Sequence, residues 1–414
     1  MSMDVSASPP PLKLGFYEFV VLIAAIMALN ALAVDAMLPA LPQMGADLGI
    51  HAENDRQWII TAYLLGLGVA QLIYGPLADR YGRKPVLLVS LFFYMAFSIA
   101  AAFAGSFALM IAARALQGAS AAAGRVIAIS IVRDCYAGRQ MARVMSLAFI
   151  VFMAVPILAP SLGQLILLVA PWPWIFGAFA ILAGVVMLWS AIRLPETLHP
   201  EYRMAITPMR LVIATGVVLS ERMSLGYTIA LTFLVGGLFG FINSAQQIFF
   251  DVFNMPDRFP LVFAAVAASM AAASFVNSRI VERLGTRRVS HWALIGFVAV
   301  ACTHFTVAAT GHETIWSFLL LQAAMMSCFG LASANFGSMA MERVGEIAGT
   351  ASSIQGFITT VGGSLLGILI GQQFDGTVVP ITMGFSVLGA LALLTVLITE
   401  QGRLFQARHA PPHA

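Results

Sequence analysis

The chain has 414 residues, 60% of them hydrophobic and only 10% charged, with a formal net charge of +3. Soluble globular domains carry about 25% charged residues, so this composition excludes a soluble protein and points to one that crosses a bilayer many times. The basic residues are scattered through short breaks, which excludes a nucleic-acid surface, and cysteines 135, 302 and 328 form neither a disulfide framework nor a metal-ligand spacing.

From the N-terminus, "MSMDVSASPPPLKLG" shows no small-residue cleavage site after a short apolar core, so the first span is read as retained. Apolar runs long enough to cross a bilayer as helices then recur. They lie near 17–40, 56–77, 86–104, 107–132, 144–169 and 173–192, and again near 224–250, 259–281, 290–310, 314–340, 347–371 and 378–399. Barrel strands would alternate over about ten residues, so run length predicts helices. The expected fold is an all-α membrane protein with twelve transmembrane helices in two six-helix halves. A tail at 1–15 precedes the first bundle at 16–192. A linker at 193–222, whose "LVIATGVVL" reads as an interfacial helix, leads to the second bundle at 223–400 and a tail at 401–414.

Placing both termini in the cytoplasm puts all but four of the 22 lysines and arginines on that side. Arg56 and Arg258 then fall outside, and Arg114 and Arg125 within spans. The halves also repeat: "DRYGRK" (Asp79 to Lys84) follows the second span and "ERLGTR" (Glu282 to Arg287) the eighth, 203 residues apart. Acid, arginine, glycine and base align, giving Glu282, Arg283 and Gly285 the places of Asp79, Arg80 and Gly82. Two homologous halves are the layout of a rocking transporter with a midplane site.

The first span contains "LAVDAMLPALP", which puts Asp35 deep in apolar sequence. Intramembrane acids are costly and mark functional sites by default. In the fourth span, Arg114 lies about 12 Å from the outer end at 1.5 Å per residue, a depth comparable with that of Asp35. Each needs a partner there. Arg125 follows Arg114 by three turns on nearly the same face, shared with Gln117, Gly118 and Ala121. It reads as a cavity residue or as a side chain snorkelling to the interface. Pro156 and Pro160, with Gly163, kink the fifth span and form a hinge candidate. Asn30 and Met27 on the first span, and Asn243, Gln246 and Gln247 on the seventh, are candidate cavity residues, with interhelical hydrogen bonding the competing reading of the amides.

"GPLADRYGRKPVLL" (Gly75 to Leu88) resembles the signature loop of the major facilitator superfamily. "RALQGASAAAG" resembles its fourth-helix arginine motif and "VPILAPSLGQ" its fifth-helix antiporter motif. "DAMLPALP" and "IVRDCYAGR" are similar to the drug:proton antiporters of the bicyclomycin-resistance branch. The chain departs from the antiporter pattern at Ala159-Pro160 and Gly163-Gln164. It has Met27 where some multidrug relatives carry a second acid.

The resemblance implies a secondary active transporter of the bacterial inner membrane that exports amphipathic small molecules in exchange for protons by alternating access. The rival is a proton-coupled transporter of a single metabolite. Asp35 and Arg114 would couple protons, with Arg114 tuning the proton affinity of Asp35. Gly75, Asp79, Arg80, Gly82, Arg83, Lys84 and Asp134, together with Glu282, Arg283 and Gly285, would serve the conformational switch. The expected partners are the substrate, protons and lipid, with no nucleic acid, for a monomer driven by the proton gradient without a cofactor. No convergent nucleophile, base or metal-ligand set points to an enzyme.

Overall fold

The computed structural model describes residues 14–203 and 208–406. The expected tails at 1–13 and 407–414 and the linker stretch 204–207 lie outside the described residues. In chain order the helices are α1 (Phe16–Asp35), α2 (Leu41–Asp47), α3 (Trp58–Tyr81), α4 (Arg83–Ala102), α5 (Phe107–Cys135), α6 (Gly138–Val169) and α7 (Pro173–Arg193). Then follow α8 (Pro208–Ser220), α9 (Arg222–Gln247), α10 (Phe259–Leu284), α11 (Thr286–Ala309), α12 (Ile315–Met341), α13 (Ala348–Gly371) and α14 (Val379–Thr399). Among the described residues, 12 helical segments are long and apolar enough to cross a membrane. The first of them runs continuously through α1 and α2, from Phe16 to Asp47. The linker helix expected from "LVIATGVVL" is α8.

Helix boundaries follow from local chemistry. Ser106 caps α5 by accepting from the Leu109 amide, and Thr314 with Ser317 forms a capping box at α12. Gly82 and Gly285 precede α4 and α11 at φ of 104° and 82°, a region that only glycine enters without strain. This is the physical content of the aligned glycines in the repeat. Pro156 and Pro160 both lie inside α6.

Two compact units emerge. Unit 1 holds residues 14–37, 62–203 and Pro208; unit 2 holds 38–61 and the described residues from Met209 onward. In unit 1, α4 packs on α5 and α7, and α1 on α5 and α6. In unit 2, α9 packs on α12, α13 and α14, while α11 packs on α12 and α14. Unit 2 thus includes the stretch 38–61, which the sequence places in the first half.

Each unit is closed at one corner by a buried arginine or helix start and a carboxylate that follows its last long helix. In unit 1, Arg83 donates to Asp79 at 2.5 Å and to Asp134 at 3.1 Å. Glu196, three residues beyond α7, accepts from the backbone amides of Arg83 (2.9 Å) and Lys84 (3.2 Å), filling the N-terminus of α4 with negative charge. In unit 2, Arg287 donates to Glu342 at 2.7 Å and to Glu400, the residue after α14, at 2.9 Å. Glu400 also accepts from the Tyr227 hydroxyl at 2.6 Å. That hydroxyl proton is then spent, so the 3.0 Å contact between Tyr227 and His291 Nε2 has the imidazole donating. His291 Nδ1 in turn accepts from the Phe405 amide at 3.1 Å.

Candidate functional site

Arg114 is fully buried and holds five helices of unit 1 together. It donates to Gln117 Oε1 at 2.6 Å and to the Ala33 carbonyl of α1 at 3.0 Å. Its guanidinium lies 4.4 Å from the ring centroid of Tyr63 on α3 and 5.7 Å from that of Phe176 on α7. Gln117 passes the network to Ser98 of α4 at 2.7 Å, and Ser98 donates to the Tyr94 carbonyl. Tyr94 returns to α1 at the Leu29 carbonyl, and Tyr63 donates to Asn30 Oδ1 at 2.8 Å. A charge in an apolar interior survives only if its donors are met and its rings shield it. Here carbonyl, amide and aromatic faces do both.

Asp35 is 5% exposed, and its Oδ1 has no hydrogen-bond partner among the described residues. Arg114 reaches α1 two residues earlier, at the Ala33 carbonyl, and no ion pair joins it to Asp35. On α1, Arg114 thus meets the backbone and not the Asp35 carboxylate. Both groups sit at the same level of the unit, and the carboxylate lacks a fixed cation. Gly163 brings α6 against this end of α1: a Cβ there would lie 2.8 Å from the Ala36 carbonyl carbon. Only glycine permits that approach.

The remaining candidates divide in two. Met27 and Asn30 are on the same helix as Asp35, with Met27 buried and Asn30 bonded to Tyr63. Arg125 is exposed and has no hydrogen-bond or ion-pair partner among the described residues. Asn243 and Gln247 hydrogen-bond within unit 2, with Asn243 Oδ1 buried and unpartnered among the described residues. Asn243 donates to Thr61 at 3.2 Å, and Gln247 accepts from Gln57 and donates to Asn54, both at 2.7 Å. Asn54 then donates to the Gln372 and Phe374 carbonyls. Gln246 is buried with its Nε2 unpartnered.

Of the loop residues, Asp79, Arg83, Lys84 and Asp134 engage one another or the unit 1 corner, while Arg80 lies over the Tyr81 ring. Glu282 and Arg283 are exposed. The working groups of the second corner are instead Arg287, Glu342, Glu400, Tyr227 and His291, which sequence reading missed along with Glu196. The repeat spacing carried the signal, because Glu196 and Glu400 are 204 residues apart.

A family model described as Major Facilitator Superfamily matches residues 23–367. The chain is 28% identical over 386 residues to a bicyclomycin resistance protein homolog of Haemophilus influenzae, covering 92% of this chain and 95% of that one. It is 27% identical over 400 residues to the multidrug resistance protein MdtL of Escherichia coli O157:H7, covering 96% and 99%. Its fold matches the xylose transporter XylE from E. coli with a TM-score of 0.74 at 12% identity, covering 95% of this chain and 99% of that one. With its twelve spans, the chain belongs to the major facilitator superfamily and is a multi-pass inner-membrane transporter.

Proposed function

We propose that the chain is a proton-driven antiporter that exports amphipathic small molecules, with Asp35 as the proton carrier. Both termini and the Asp79 loop are assigned to the cytoplasm on the distribution of lysine and arginine. The observation that carries the reading is Asp35 itself, a buried carboxylate with an unpartnered oxygen and no bridging cation, inside an apolar span. A carboxylate there is either protonated and neutral or charged and costly. Exposing it to one side at a time lets a proton enter from outside and leave inside. Substrate and proton compete for the state of this region, and that competition couples proton entry to substrate exit. Resistance proteins among the relatives support export of foreign amphipaths over handling of one metabolite. The proton gradient supplies the driving force, and the superfamily's transport needs no cofactor.

The test is Asp35→Asn in cells lacking their own pumps, with export of a panel of dyes and antibiotics measured with and without a protonophore. Asparagine keeps the shape but cannot exchange a proton. Gradient-driven export should vanish at normal membrane levels of the protein. An Asn variant that still concentrates substrate against its gradient removes Asp35 from the mechanism.

A further inference from the structure

Arg125 is a cation to which no carboxylate is paired among the described residues. It lies in the middle of α5, is exposed, and has no hydrogen-bond or ion-pair partner among the described residues. An arginine stays protonated in a protein, so its apolar surroundings do not neutralise it.

The direction in which it is exposed follows from helix geometry. Leu109 and Leu116, each 48% exposed, mark one apolar face of α5. At about 100° per residue, Leu116 lies roughly 180° from Arg125. Arg114 and Gly118, both buried inside unit 1, lie within about 20° of it. Arg125 therefore leaves the helix on the face opposite the exposed leucines, beside Ile129, which is 37% exposed and about 40° away. Of its neighbours on the helix, Ala121, Ala122 and Ala128 are short and buried, and the larger Ile129 is exposed.

Among the described residues, no acid is bonded to this charge. Asp35 lies at the level of Arg114, which is about 16 Å along the helix from Arg125 at 1.5 Å per residue. Glu18 is bound bidentately by Arg193, with Nη2 at 2.7 Å and Nε at 2.7 Å. Every carboxylate between Arg222 and Thr399 sits in a connection or in the last turn of a helix. The spans as a whole therefore carry a surplus guanidinium, exposed on unit 1.

We infer that Arg125 is a substrate-recognition residue and that the preferred cargo is an amphipath with one anionic group: a carboxylate, sulfonate or phosphate on an apolar body. The planar guanidinium fork matches such an oxyanion with paired, charge-assisted hydrogen bonds. The apolar remainder is that of the amphipathic cargo proposed above. The inference rests on the exporter reading for its biological sense, but binding alone tests it.

Purified protein in detergent, without any gradient, is titrated with a dansyl-labelled eight-carbon carboxylic acid and with its methyl ester, and dansyl fluorescence is followed. The wild type should bind the acid more tightly than the ester. Arg125→Gln should weaken the acid roughly 10- to 100-fold, the loss expected for hydrogen bonds to a charged group, and leave the ester within about twofold. Arg125→Lys should recover part of the loss, since it keeps the charge without the fork. Retained ester binding shows that each variant is folded; should Arg125→Gln not fold, the acid-selective loss in Arg125→Lys decides. Equal losses for acid and ester, a wild-type preference for the ester, or binding of neither probe overturns the inference. Because no proton gradient enters the assay, its outcome is independent of the Asp35 test, and either reading can fail alone.

Discussion

The unit 2 corner permits a comparison in which two carboxylates on one arginine should differ greatly in weight. Arg287 is 6% exposed, and its partners Glu400 and Glu342 are 0% and 39% exposed. Breaking a buried pair leaves an uncompensated buried charge and costs about 3–5 kcal/mol, whereas an exposed pair contributes about 0.2–1 kcal/mol. Glutamine keeps the volume of glutamate, so substitution removes charge without opening a cavity. Glu400→Gln should cost about 3 kcal/mol, the lower end of the range because Glu342 still faces Arg287. That is a shift of more than 100-fold in the folded-to-unfolded ratio. Glu342→Gln should cost about 1 kcal/mol or less. The assay is equilibrium unfolding in mixed micelles by SDS titration, followed by tryptophan fluorescence. The double change Arg287→Met with Glu400→Met should recover most of the loss, because replacing both members of a buried pair by apolar groups is often neutral. A Glu342→Gln variant destabilised as much as Glu400→Gln would refute the argument from burial.

Two further outcomes follow from the site. Gly118→Val should destabilise by about 1–3 kcal/mol, the usual cost of overpacking, because a Cβ there would lie 2.9 Å from Tyr63 Cα; an unchanged thermal midpoint would show that α3 and α5 separate freely. With Asp35 the one acid deep in the spans, one proton should enter per substrate exported, so export of a neutral substrate moves one charge and export of a monoanion two. Each charge contributes about 2.3 kcal/mol per 100 mV. In liposomes with the potential clamped by potassium and valinomycin, the anion's accumulation should therefore respond more steeply to voltage than the neutral substrate's. Equal steepness, or two protons counted per neutral molecule, contradicts the single-carboxylate scheme.

The sequence made the helices, their number and their repeat legible, because a bilayer imposes long apolar runs and breaks them with charge. Asp35, Arg114 and Arg125 stood out for the same reason. The partners of these residues did not. Equal depth suggested that Asp35 and Arg114 pair, but depth says nothing of azimuth, and the guanidinium went to the Ala33 carbonyl and to aromatic faces. For Asn243 and Gln247 the sequence leaves solute contact and interhelical hydrogen bonding open, and the partners that meet them, Thr61 for Asn243 and Asn54 and Gln57 for Gln247, arrive from residues 38–61. Glu282 looked equivalent to Asp79 because it aligns with it. The carboxylates that hold Arg287 come instead from helix ends 55 and 113 residues away.

The hydrogen bonds from Phe405 through His291 and Tyr227 to Glu400 bear on how this protein can be handled. Thr399 ends the last long helix, and a topology drawn from hydropathy would stop there. Yet Glu400 is fully buried, and the Phe405 ring packs 5.1 Å from that of Trp292. The six residues from Glu400 to Phe405 therefore act as a peg that fastens α14 to α9 and α11. A purification tag or fluorescent reporter attached beyond them leaves the peg in place. One spliced directly to the end of α14 would withdraw the carboxylate from Arg287 and present, as a defect of transport, what is only a badly chosen junction.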